Sequence, residues 1–141
     1  MKDELLNRIR SIVRTVPNFP IEGIMFRDIT PVLREPGLLS SITDQFVEDI
    51  KQLGWKPDVV VGPEARGFIF APLLADRLGC AFVPVRKPGK LPAPSRSVEY
   101  SLEYGSNSLE MHEDAIEPGQ NAIIIDDLLA TGGTISACAR L

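Results

Sequence analysis

Three short, almost wholly apolar stretches constrain this chain most: Asp58-Val59-Val60-Val61-Gly62, Ala81-Phe82-Val83-Pro84-Val85 and Asn121-Ala122-Ile123-Ile124-Ile125. A strand with one wet face alternates apolar and polar residues, whereas a strand covered on both faces does not. The runs therefore predict buried parallel strands, the second interrupted by Pro84. Between the first two, Phe68 to Leu78 reads as a helix closed by Gly79, the crossover of a right-handed βαβ unit. The fold class that follows is α/β, a parallel sheet flanked by helices.

The flanking segments are less regular. Leu5, Leu6, Ile9, Ile12, Val13 and Val16 recur at helical spacing opposite Asp3, Glu4, Arg8, Arg10 and Arg14, which predicts an amphipathic helix ended by Pro17 and Pro20. Residues 17–36 read as irregular or short-stranded. Leu38, Leu39, Ile42, Phe46, Ile50 and Leu53 predict a second helix stopped at Gly54. Pro88, Pro92 and Pro94 open a segment that runs to a weakly alternating stretch, Val98 to His112, with Gly105 in its middle. This reads as a mobile lid hairpin spanning about residues 88–112. After the third strand, residues 126–133 form a loop and a helix starts at Thr134. The expectation is one domain over residues 1–141, with a helix and small hood in residues 1–35 and a core in 36–141. The last helix reaches Leu141 without Gly, Pro or a polar cap, so the reading predicts a chain incomplete at its C-terminus.

Composition excludes several functions. With 15 Lys and Arg against 19 Asp and Glu, the net charge is −4, which disfavours nonspecific nucleic-acid binding. No polybasic patch points to a membrane surface, and no apolar run is long enough to span one. The single His112 cannot build a His-based metal site. Cys80 and Cys138 read as small buried hydrophobes in a reducing, cytoplasmic setting.

Chemistry concentrates where the third strand ends, at Ile123-Ile124-Ile125-Asp126-Asp127-Leu128-Leu129-Ala130-Thr131-Gly132-Gly133-Thr134. Ala130, Thr131, Gly132, Gly133 and Thr134 can turn successive backbone N–H groups inward around a phosphate, because the two glycines present no Cβ. The following helix adds the positive end of its dipole. Asp126 and Asp127 stand at the carboxyl end of a strand, where open α/β sheets bind ligands, and suit the vicinal hydroxyls of a ribose. A bare Gly-Gly turn with Asp caps is the alternative. Neither a Walker loop nor a dinucleotide fingerprint is present.

Two further strand ends carry cations. In Gly62-Pro63-Glu64-Ala65-Arg66-Gly67-Phe68, Arg66 lies at the tip of a turn and could neutralise a pyrophosphate. Val85-Arg86-Lys87-Pro88-Gly89-Lys90 is a local basic cluster in an acidic protein. Solvated surface residues are the plain alternative for both.

The twelve-residue acidic and glycine string resembles the phosphoribosyl pyrophosphate (PRPP) signature of the type I phosphoribosyltransferase family. Phe26-Arg27-Asp28-Ile29, with Phe19-Pro20 before it, and Ser101-Leu102-Glu103-Tyr104-Gly105 resemble its adenine branch. The likeness runs from about Ile9 to Leu141 in the family's order.

The resemblance implies transfer of a 5-phosphoribosyl group from PRPP to N9 of adenine, giving AMP and pyrophosphate with Mg²⁺, in purine salvage. It implies that Asp126 and Asp127 hold the ribose and that Ala130 to Thr134 hold the 5′-phosphate. Ala65, Arg66, Arg86, Lys87 and Lys90 would face the pyrophosphate, and a non-proline cis peptide would fall at Ala65–Arg66. Glu103 would be the acid/base at adenine N7. Met25 and Arg27 would read adenine through backbone groups while Phe26 packs on its ring, although Phe26 could equally be core. No metal ligand is identified directly. Family members are usually homodimers, for which the first helix is a candidate surface, and family chains continue through another strand and a closing segment. A non-catalytic nucleotide-binding regulator on the same fold, or an enzyme for another purine base, are the competing readings.

Overall fold

The computed structural model describes residues 2–101 and 106–141. Their contacts divide the chain into two compact units, Met1–Asp49 and Ile50–Leu141.

The first unit opens with α1 (Lys2–Ile12), which has no buried residue. The helical periodicity predicts that this helix runs to Pro17, but it stops at Ile12. Residues Arg14–Pro17 instead form β1, paired antiparallel with β2 (Met25–Asp28). The reason is nonlocal. Arg14 ion-pairs with Asp28 at 2.6 Å across the ladder, and the Arg27 guanidinium donates to the Thr15 hydroxyl. Cross-strand pairs of this kind override a weak local preference. The connecting turn carries Asn18 at φ 57°, a cis Phe19–Pro20 bond and a hydrogen bond from the Gly23 amide to Asn18 Oδ1 at 2.9 Å. Phe19 and Phe26 meet edge to face at 5.0 Å. The Thr30 amide donates to Asp28 Oδ1 at 2.8 Å, opening α2 (Thr30–Arg34) with Pro31 in its first turn. Bonds from Thr30 and Arg14 hold the Asp28 carboxyl down, at about 2. The amphipathic α3 (Leu38–Gln52) follows, and Gly54 comes after it at φ 70°.

The second unit holds a three-stranded parallel sheet. Its strands are β3 (Val59–Pro63) and β4 (Ala81–Val85), joined by the crossover helix α4 (Gly67–Leu78), which ends at left-handed Gly79. Beyond an antiparallel hairpin of β5 (Ser95–Ser101) and β6 (Ser106–His112), β7 (Ala122–Ile124) returns to the sheet, and α5 (Gly133–Arg140) follows. The order is β4-β3-β7, with β3 central and buried along its length.

Period-two alternation divides the core between the two faces of the sheet. Val59, Val61, Val83 and Val85 pack with Ala137 and Cys138 of α5 and with Leu109 and Met111 of β6. On the α4 face the packing is tight enough to dictate a residue type. A Cβ at Gly62 would lie 2.6 Å from the Ala71 Cβ. The hairpin is tied to the sheet through reciprocal backbone bonds between Arg86 and Glu110, at 2.9 and 2.7 Å, and Leu109 and Met111 anchor its second strand in the core. No helix among the described residues is long and apolar enough to cross a membrane.

Candidate active site

The carboxyl ends of β3, β4 and β7 lie side by side, and their register fixes what they present. Ile125 N donates to Val61 O at 2.9 Å, which carries the β3–β7 ladder one residue past β7. Asp126 and Asp127 therefore emerge beside the turn that follows β3. On the other side, Pro63 pairs with Val85, so that turn also adjoins the basic segment after β4.

A cleft of about 510 Å³ opens there, lined by Ala65, Arg66, Lys87, Tyr100, Asp126 and Asp127, among others. A smaller hollow of about 140 Å³ adjoins it, enclosed by Arg66, Asp126 and residues 128–135. The hollow sits at the start of α5. Gly132, at φ 84°, turns the chain into the helix, and no side chain caps it there. The first-turn residues Gly133, Thr134 and Ile135 line the hollow, where first-turn amides, which have no partner within their own helix, and the helix dipole suit an anion.

The two acids have different surroundings. The Asp127 side chain is almost wholly buried (3% exposed) and pairs with Arg66 Nε at 3.2 Å. Asp126 accepts a 2.9 Å bond from the Asp127 amide. Burial, reinforced by the neighbouring Asp127 carboxylate, pushes Asp126 up to about 6. Arg66 balances charge at the acid pair and also faces the cleft and the hollow. Burial, followed by the charge of Asp126, pushes the Cys138 thiol up to about 11, so it remains protonated at neutral pH.

The expected residues divide into groups. Ala65, Arg66, Lys87, Asp126, Asp127 and Thr134 share the larger cleft, and Ala130, Thr131, Gly132 and Gly133 line the hollow. Arg86 and Lys90 are not among the lining residues. Arg86 Nε instead pairs with Glu64 at 3.1 Å, and its Nη1 donates to the Lys90 carbonyl at 3.3 Å. Met25, Phe26 and Arg27 lie on β2 of the N-terminal unit, with Met25 exposed. Glu103 lies outside the described residues. The non-proline cis bond is Glu64–Ala65, one residue earlier than the expected Ala65–Arg66. The bond falls directly after β3, whose last residue is Pro63, rather than at the turn's tip.

Two residues at the cleft have no signature in the sequence. Tyr100 packs its ring against the phosphate-type loop, 3.5 Å from where a Cβ on Gly133 would stand. Glu64 has an acceptor role visible only once β4 is beside it. Among the described residues, no group of three or more His, Cys, Asp or Glu side chains could hold a metal ion.

This is an α/β domain able to hold a phosphorylated ligand at the carboxyl edge of its sheet. The family profile of the phosphoribosyl transferase domain matches residues 29–141. The adenine phosphoribosyltransferase of Alkaliphilus oremlandii is 53% identical over 133 residues, covering 94% of this chain and 76% of that protein. The crystal structure of adenine phosphoribosyltransferase from Thermoanaerobacter pseudethanolicus superposes with a TM-score of 0.92 at 52% identity, over 96% of this chain and 78% of that one. The Saccharomyces cerevisiae enzyme, complexed with an imino-altritol bisphosphate and adenine, gives 0.94 at 42% identity, over 99% and 80%. The chain belongs to the phosphoribosyl transferase family, in its adenine phosphoribosyltransferase branch.

Proposed function

We propose that this protein transfers the 5-phosphoribosyl group of PRPP to N9 of adenine, releasing pyrophosphate and forming AMP, as a step of purine salvage. The observation that carries the proposal is the acid pair Asp126 and Asp127, set between an uncapped glycine-bounded helix start and two cations on neighbouring strand ends. The yeast relative, bound to a bisphosphorylated imino-sugar and adenine, supports it.

In this reading the amides of Ala130 to Thr134 and the hydroxyls of Thr131 and Thr134 hold the 5′-phosphate. Asp126 and Asp127 accept from the ribose hydroxyls and fix the ring. Arg66 and Lys87 face the pyrophosphate. As the C1′–O bond to pyrophosphate breaks, negative charge builds on the leaving group, and the two cations stabilise it there. N9 of adenine forms the new bond and the base loses its proton. Glu103 is proposed to manage proton exchange at N7, with Met25, Phe26 and Arg27 recognising the base. Holding the reactants in register contributes several kcal/mol by itself.

Two carboxylates without a third donor match the way Mg²⁺ is held, by one or two acids together with substrate phosphates. Asp126 and Asp127 would be its protein-side neighbours. When bound, Mg²⁺ supplies charge neutralisation of the pyrophosphate. We further propose a cytoplasmic homodimer. The apolar stripe of α1, none of it buried, is available for a partner copy, and the two unpaired thiols fit a reducing compartment.

The direct test mixes protein, PRPP, Mg²⁺ and adenine and measures AMP and pyrophosphate. Turnover only with hypoxanthine or guanine would reassign the base, and calorimetric binding of PRPP without turnover would favour a regulator. Glu103→Gln is expected to lower kcat by about 100-fold while PRPP affinity stays within a few-fold, and equal loss of both would reject the acid/base role.

A further inference from the structure

We infer that Glu64 is a positioning residue for PRPP, acting through the backbone of Lys87; the inference rests on the reading of the cleft as a PRPP site. Glu64 follows β3 directly, and its amide donates to Val85 O at 2.8 Å, placing its side chain over the exit of β4. One carboxylate oxygen, Oε2, then accepts two bonds of 3.1 Å, from Arg86 Nε and from the Lys87 amide. Arg86, held this way, donates onward to the Lys90 carbonyl at 3.3 Å. The Gly89 amide is held from the other side by Glu110 Oε2 at 3.1 Å. The loop carrying Lys87 is thus fastened at successive points, and Glu64 is the fastening that comes from the turn bearing Arg66.

An acid in the wall of a cleft meant for a pyrophosphate would repel it unless neutralised. The Arg86 ion pair neutralises it, which is why the most basic segment of the chain turns one guanidinium away from the cleft. Burial works against the Glu64 charge, but the Lys87 amide and the Arg86 guanidinium outweigh it and hold the carboxyl below its ordinary range. The two charges cancel, and what remains is geometry. Arg66 and Lys87, on different loops 21 positions apart, line one cleft. Positional looseness of about 1 Å at such a site is costly in rate and affinity.

The test measures steady-state constants and calorimetric PRPP affinity on the full chain. Glu64→Ala is expected to raise the KM and Kd for PRPP about tenfold, leaving kcat within about threefold and the adenine KM within about twofold. Glu64→Gln, which keeps an acceptor for the Lys87 amide, is expected to recover most of the loss. Combined with Lys87→Ala, Glu64→Ala is expected to add almost nothing, because it acts through Lys87. A PRPP KM unchanged in Glu64→Ala, or losses that multiply in the double variant, would overturn the inference. If Glu64→Ala does not fold, Arg86→Ala takes its place beside Lys87→Ala: a raised PRPP KM that Lys87→Ala absorbs supports the inference, and an unchanged KM or multiplying losses overturn it. Wild-type protein that binds no PRPP would bring down the proposed function and this inference with it. Wild-type binding matched by every variant would bring down the inference alone.

Discussion

Two strand-to-helix turns stand side by side at the edge of the sheet, and they are built on opposite principles. The turn after β3, residues 64–66, is held by side chains and close packing. Glu64 is bonded to the loop after β4, and a Cβ on Gly67 would stand 2.7 Å from Pro63 Cδ and 3.1 Å from the Ile125 carbonyl. The loop after β7, residues 126–132, is tethered by side chains only at its first two residues, Asp126 and Asp127, and beyond them it is shaped by its backbone. It has the bond from the Asp127 amide to Asp126 and the positive φ of Gly132, its leucines 128 and 129 are exposed, and a Cβ on Gly132 would meet nothing closer than 4.0 Å. A loop that presents a side-chain cation must fix that side chain's root, whereas a loop that presents amides must keep its backbone bare. The glycines reflect this: Gly67 serves packing and Gly132 serves conformation.

The contrast can be broken at either end. The largest effect is expected from Gly67→Ala, which forces a methyl against backbone and ring. It should destabilise the fold by about 2–3 kcal/mol and lower Tm by several degrees. An unchanged Tm would mean that the first turn is as pliable as the second. Asp127→Asn is next. It leaves the Arg66 guanidinium facing a neutral amide and removes an acceptor, and PRPP KM is expected to rise about 30-fold, or about 2 kcal/mol. Equal affinity would move the ribose contact elsewhere.

A pH series follows. The folded protein holds the Asp126 proton up to about 6, against an ordinary carboxyl value of 3.8. The stability this provides is present below about pH 4 and is lost as pH rises through 6. In the proposed binding mode the ribose hydroxyls need the ionised Asp126, so PRPP binding runs the other way. Between pH 7 and 5, PRPP affinity of the wild type should fall by up to about tenfold relative to Asp126→Asn. A constant ratio would remove Asp126 from the site. The smallest effect on stability is expected from Gly132→Ala, about 1 kcal/mol from its left-handed backbone alone. Its PRPP affinity should suffer more than its Tm, and the reverse order would make Gly132 a packing residue like Gly67.

The sequence was most informative where burial is complete. Val59 to Val61 read as a buried parallel strand and are buried at every position, whereas Ala122 to Ile124 read the same way and form a parallel strand, but one paired, among the described residues, only with β3, with Ala122 exposed and Ile123 and Ile124 half-buried. It misled at Arg14 to Pro17, where Ile9, Ile12, Val13 and Val16 sustain a helical period while the deciding contacts, to Asp28 and Arg27, lie more than ten residues away. The candidate site was legible where backbone chemistry has a local signature, as in the acid pair and its glycines. It was illegible at Glu64 and Tyr100, which look like ordinary polar and aromatic residues until β4 and α5 are set beside them. The Arg86 guanidinium illustrates the same limit, since in a string of basic residues nothing local says which one faces inward.

The central position of β3 has a mechanical consequence. It is bonded to β4 on one side and β7 on the other, so the three loops at the carboxyl edge grow from strands joined in a single strip of backbone. Whatever clamps one loop damps the motion of the other two, and an occupied site would be expected to quiet the whole edge of the sheet, including positions that never touch the ligand.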